Sequence, residues 1–197
     1  MDLDYKTILW VITIALGIYG SYDYIRDTIK WVTKPHLYTW ILFTIMDTIA
    51  FLIQLQDGAG PGAWGTLATG VMWWIIVVLA LLKWEKNITK SDHLSFVFAI
   101  LSVFLYVTIE NPIYSLITVL CVLGFAMYPT FRKTFSKPSE ETLSVYWIAG
   151  IRSYISIIAT VNISILTIGL PIFIILINTT FITMVIVRKK QLINEKI

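Results

Sequence analysis

The sequence predicts an all-α polytopic membrane protein of seven transmembrane helices. They form two parallel three-helix repeats joined by a linker helix, with the N-terminus outside and the C-terminus cytoplasmic. Three observations lead there. The 197 residues are 57% hydrophobic and only 14% charged, with a mean hydropathy of +0.79, whereas a soluble domain is about half apolar and about a quarter charged. Seven apolar stretches come close to the roughly 20 residues that cross a hydrocarbon core. Lys and Arg collect in every second connection, the pattern that cytoplasmic loops follow.

The spans follow in chain order. The first, 7–25, comes after the acidic lead "MDLDYK", with no small-residue cleavage site behind it, so it reads as a retained helix rather than a removed signal peptide. "KPH" at 34–36 separates it from the second span, 37–56. "DGAGPG" at 57–62 ends the second; it is glycine-rich but has no following Lys-Ser/Thr, and so is no phosphate loop. The third span, 64–83, runs into "EKNITKSD" at 85–92, and the fourth, 93–109, into "ENP" at 110–112, where Glu110 reads as a solvated loop residue. The fifth, 112–131, is closed by "SKPSEE" at 136–141; the sixth, 143–162, and the seventh, 165–187, are parted only around Asn162 to Ser164. Arg26, Lys30 and Lys34 follow span one; Lys83, Lys86 and Lys90 follow span three; Arg132, Lys133 and Lys137 follow span five; Arg188, Lys189, Lys190 and Lys196 follow span seven. These are thirteen of the fifteen basic residues, and the connections after spans two, four and six hold none. A missed or invented span would scramble this alternation.

Two stretches echo one another. "YDYIRDTIKWVTKP" at 22–35 leads to Trp40, and "YPTFRKTFSKP" at 128–138 leads to Trp147. Each passes from an aromatic helix end through Arg, Thr and Lys-Pro to a tryptophan at the next helix entrance. An odd linker span gives both triplets the same orientation, the parallel repeat related by an axis along the membrane normal. The units are then 1–84, the linker 85–110, and 111–197 with a short basic tail. In this layout the chain resembles the SWEET and PQ-loop (MtN3-like) superfamily. That family often carries Pro-Gln near the cytoplasmic end of its first and fifth helices; here the fifth has Pro129-Thr130 and the first Asp23-Tyr24. "KPHLYTW", "DGAGPGAW" and "YPTFRKTFSKP" also resemble an uncharacterised family of bacterial membrane proteins, which points to a bacterial inner membrane and implies no function. The SWEET resemblance implies a carrier for a small solute, with a pathway between the triplets and a hinge at Pro129. The residues it brings to the pathway are Trp40 and Trp147 on helices two and six, Trp73 on helix three and Asn178 on helix seven.

The charges at membrane depth need their own account. Arg152 is the tenth residue of span 143–162 and Asp47 the eleventh of span 37–56. Both spans run the same way, so both charges lie at mid-depth, where a lone charge costs about 2.5–3.5 kcal/mol on lenient scales. A buried charge is tolerated when paired, and Asp47 is the expected partner of Arg152, either as a structural clamp or as part of a pathway. Trp40, Thr44, Asp47, Phe51 and Gln54 share one face of their helix; Arg152, Ser153, Ser156 and Thr160 share another; so do Thr13, Gly17 and Ser21. Such stripes line pathways, and they also pack helices tightly. Trp31, Trp64 and Trp84 read as interface anchors, a role equally open to Trp40 and Trp147. Asn178 shares a face with Thr167 and Pro171, and Pro171 reads as a kink.

Other classes lack parts. His36 and His93 sit near helix ends, too few ligands converge for a metal, and the lone Cys121 allows no internal disulfide. No catalytic set, cofactor or nucleic-acid site is expected; the net charge of +3 is distributed as loop charge. The expected partners are the lipid bilayer and a small-molecule solute, with homo-oligomerisation open. Two functions stand: a facilitative carrier of a small polar solute, and a ligand or sorting receptor on the same scaffold that does not let its ligand cross.

Overall fold

Each of the seven apolar stretches folds as a helix. They are α1 (Tyr5–Ile29), α2 (Leu37–Gln56), α3 (Gly62–Lys83), α4 (Lys90–Thr108), α5 (Pro112–Ser136), α6 (Ser144–Ala159) and α7 (Ile165–Asn194), with a short 3-10 turn at Pro138–Glu140 before α6. The structure is a computed structural model and describes residues 5–56, 62–83, 88–159 and 163–194. The side chains of Phe51, Gln54, Trp64 and Thr167, and the residues 57–61, Trp84, Lys86, Thr160 and Asn162, lie outside the described residues. By length and composition three described helical stretches can cross a membrane, namely Lys90–Thr108, Leu116–Ser136 and Ile168–Asn194; Leu37–Ile49 and Thr69–Leu82 are apolar but shorter as described.

The helix ends have local causes. Asn111 caps α5, its Oδ1 accepting from the backbone N–H of Ile113 (3.0 Å) and Tyr114 (3.4 Å), with Pro112 at the first helical position, where its missing N–H costs nothing. "ENP" is thus a helix start as well as a turn. Thr89 and Asp92 form a reciprocal capping box on α4. α1 ends where Trp31 adopts φ 61°, a left-handed terminus that leaves Trp31 exposed. α1, α5 and α7 continue beyond their apolar stretches by about a turn or more, carrying Arg26, Arg132, Lys133 and Arg188 on helix rather than loop.

α5 also runs unbroken through Pro129. A proline inside a helix leaves the carbonyl four residues back without its N–H. That carbonyl belongs to Phe125, and the Ser95 hydroxyl of α4 donates to it at 2.6 Å. The next carbonyl, of Ala126, accepts from Thr39 of α2 at 2.6 Å, and Thr39 also bonds the Thr130 hydroxyl at 2.9 Å. The proline is therefore a point at which α4 and α2 are fastened to α5.

The packing follows a regular scheme. α3 packs against both α1 and α2, and α7 against both α5 and α6; between the triplets α1 meets α6 and α2 meets α5; α4 lies on α5 and touches α2. Large apolar side chains such as Leu82, Phe104, Val107 and Leu176 point outward, while Ser21, Thr28, Thr39, Thr44 and Asp92 are buried. The main apolar core gathers Tyr24, Trp40, Ile76, Met127, Tyr146 and Phe181 from six helices. It lies toward the end of the bundle that carries the α1–α2 and α5–α6 connections, here called the basic end.

Candidate functional site

A cavity of about 410 Å³ opens on the far side of that core, lined from every helix except α4. α2 contributes Trp40, Phe43 and Asp47; α3 contributes Thr69 and Trp73; α6 contributes Tyr146, Arg152, Ser153 and Ser156; α7 contributes Pro171, Ile174 and Asn178; Thr13 of α1 and Met127 of α5 complete the wall. The structure thus brings Trp40, Asp47, Trp73, Arg152 and Asn178 to one cavity. Trp147 is elsewhere: its side chain is 53% exposed on the outer face of α6, and its neighbour Tyr146 takes the inward position. Pro129 is outside the cavity wall, at the junction with α4 described above.

One wall is aromatic. Trp40 is 1% exposed, so it is an interior residue. Its indole N–H donates to the Tyr24 hydroxyl at 3.1 Å, and its ring meets Tyr24 at 4.7 Å and Trp73 edge-on at 6.0 Å. Phe43 packs on Trp73 at 5.4 Å. Thr44 does not share this wall: its hydroxyl donates back to the Trp40 carbonyl at 2.7 Å and is buried. Of the face read from the sequence, Trp40 and Asp47 line the cavity and Thr44 does not, while Phe43 lines it beside them.

The other wall is polar. Arg152 rests on α1, where a Cβ added to Gly17 would lie 2.6 Å from Nη1 and 2.9 Å from Cζ. Gly17 is the gap in α1 that the guanidinium occupies. At Gly20 an added Cβ would meet Ile148 of α6 at 2.9 Å, so α1 and α6 approach closely on this face. The stripe Thr13, Gly17, Ser21 divides its labour: Thr13 lines the cavity, Gly17 admits Arg152, and Ser21 is buried and bonds the Gly17 carbonyl at 2.9 Å. Asn178 donates its amide to the Ile174 carbonyl at 2.8 Å.

Asp47 and Arg152 face the same cavity, each in the other's electrostatic field, but they form no direct ion pair. This corrects the expectation that they meet. They rest against different helices: the guanidinium occupies the gap left by Gly17 of α1, and a Cβ added to Gly70 of α3 would lie 3.8 Å from the Asp47 Cβ. Neither has a hydrogen-bond partner among the described residues.

The buried ion pairs are instead at the basic end. Lys133 of α5 is buried; its ammonium donates to the carbonyls of Lys34 (2.8 Å) and Glu140 (3.1 Å) and to the Glu141 carboxylate. Glu141 also accepts from the Tyr146 hydroxyl at 3.0 Å. Thr142 donates to Asp27 at 2.8 Å and bonds Thr33, and the Lys34 backbone N–H donates to the Glu140 carbonyl at 3.1 Å. These contacts tie the α1–α2 connection to the α5–α6 connection directly below Trp40 and Tyr146. Sequence reasoning counted Lys133 only among the basic residues that follow span five. No periodicity points to Glu141 as its partner, because the pairing arises from a turn between two helices. Beside it, Arg132 grips Asp92 at 2.8 and 2.6 Å, and Asp92 lies 3.6 Å from the buried His36 ring. Burial lowers the His36 pKa to about 4, opposed by Asp92 and reinforced by Arg132 and Lys133.

Among the described residues no group of three or more His, Cys, Asp or Glu comes together to hold a metal ion. What the arrangement can do is hold a small solute between aromatic rings, an amide and two opposite charges. No known protein family, curated protein or solved structure matches the chain.

Proposed function

We propose that the protein is a facilitative membrane carrier for a small polar solute, SWEET-like in layout, with its pathway between the helix triplets α1–α3 and α5–α7. The observation that carries this reading is the cavity itself. An apolar bundle places a carboxylate, a guanidinium, hydroxyls and an amide around about 410 Å³ of space, and intramembrane ionisable residues mark solute pathways. The contact scheme supports the parallel repeat. Exchanging α1 with α5 and α2 with α6 turns the α1–α6 contact into the α5–α2 contact, and α3 and α7 play equivalent parts. α4 is then the linker, packed outside the cavity. Under this reading all seven helices span a bacterial plasma membrane with the basic end cytoplasmic, and the Lys133–Glu141 network closes the cytoplasmic side.

The test is counterflow in proteoliposomes with a panel of labelled amino acids, sugars and polyols. The reading expects saturable uptake of at least one class, abolished when Ala149→Phe, on the α6 wall of the cavity, fills the space. Binding without uptake by any panel member overturns it in favour of a receptor.

A further inference from the structure

We infer that the solute taken by this cavity is a zwitterion, a small molecule with one ammonium and one carboxylate group, of which an α-amino acid with an uncharged side chain is the simplest case. The inference rests on the carrier reading and goes further by naming the ligand class. Asp47 and Arg152 stand on different walls of the same cavity, on α2 and α6, without contact between them. A buried charge deprived of partners is costly. Had the two charges served only to neutralise each other, a direct ion pair would have been the lower-energy arrangement. Separated, they form a two-point receptor. The Asp47 carboxylate accepts hydrogen bonds from an ammonium, and the Arg152 guanidinium, a planar fork of donors, takes a carboxylate in a bidentate grip. Gly17 fixes the position of that fork, since any side chain there would displace it.

The rest of the wall fits the remainder of such a molecule. Trp73, Phe43 and Ile174 offer apolar surface to an aliphatic or aromatic side chain, and Asn178 and Ser153 supply neutral polar contacts. Ligand pockets run from about 300 to 1,000 Å³, and 410 Å³ is at the small end, suited to a single amino acid. A solute of one charge sign would satisfy one wall and leave the other charge stranded. A neutral sugar would leave both.

The experiment is thermal stabilisation of the purified protein in detergent, since a native-state ligand raises apparent stability. The probes are glycine, L-alanine, L-leucine and L-phenylalanine, each beside its methyl ester and its deaminated acid, with mannitol as the neutral control. At least one amino acid should bind tenfold or more tighter than both its ester and its acid. In Arg152→Gln the preference over the ester should vanish, and in Asp47→Asn the preference over the acid. Should either variant fail to fold, the wild-type probe series decides alone. Esters or acids binding as tightly as their parent amino acids, stabilisation by mannitol only, or no stabilisation by any probe would overturn the inference. Amino-acid preference without uptake in proteoliposomes would support the ligand class and overturn the carrier reading. Uptake of a sugar or polyol without amino-acid preference would do the reverse.

Discussion

Lys133 and Glu141 illustrate how a single residue pair is positioned by its surroundings. The ammonium has three acceptors, two of them backbone carbonyls, and the carboxylate is held by Tyr146 as well. Breaking a buried pair costs about 3–5 kcal/mol. Glu141→Gln or Lys133→Met should each lower the melting temperature of the purified protein sharply, and the double variant should lose clearly less than the sum. Additive losses would mean the two do not interact. Asp47→Asn and Arg152→Gln, which lack a direct contact, should be closer to additive. His36 gives a pH signature. Its pKa is lowered to about 4 by burial, against about 6.5 in the unfolded chain. The unfolded state therefore binds the proton first, and stability is complete above about pH 6.5 and lost as pH falls toward 4. The loss is on the order of 2–3 kcal/mol. Melting curves between pH 7 and pH 4.5 should show this slope in the wild type and a shallower one in His36→Phe, where Asp92 keeps Arg132 as its partner. These side chains were not legible as a network in the sequence, because their partners come from separate connections and follow no helical period.

Helices were the most legible level. Apolar length gave all seven to within a few residues, except where α1, α5 and α7 run on past their apolar stretches, because Lys133 and its neighbours find partners there and stay helical. The face of α2 was legible at Trp40 and Asp47 but not at Thr44, which turns its hydroxyl to its own backbone while Phe43 lines the cavity. Trp147 faces outward while Tyr146 faces in, and composition alone has no means to choose between adjacent aromatics. Pro129 was legible as a special position but not as a junction. Its freed carbonyl is satisfied from α4, so Ser95→Ala should leave the Phe125 carbonyl unpaired at a cost of about 1–3 kcal/mol. The melting temperature should fall accordingly. Restoring the helical N–H with Pro129→Ala in the Ser95→Ala background should recover part of the loss; no recovery would contradict the account of α5.

At the scale of the whole molecule large apolar side chains face outward, an apolar core lies toward the basic end, and the buried polar residues divide between the cavity, the helix seams and the network at the basic end. The alternation of basic connections predicts that single-cysteine probes at Gly60 and Lys86 label from opposite sides of intact cells. The central claim is that the cavity communicates with both sides in turn, which a receptor does not require. It is tested most directly by placing Ser153→Cys in a Cys121→Ser background and treating right-side-out and inside-out vesicles separately with a membrane-impermeant thiol reagent. The account predicts modification of the cavity cysteine from both sides, slowed by bound solute. Modification from one side only, at every solute concentration, would contradict it.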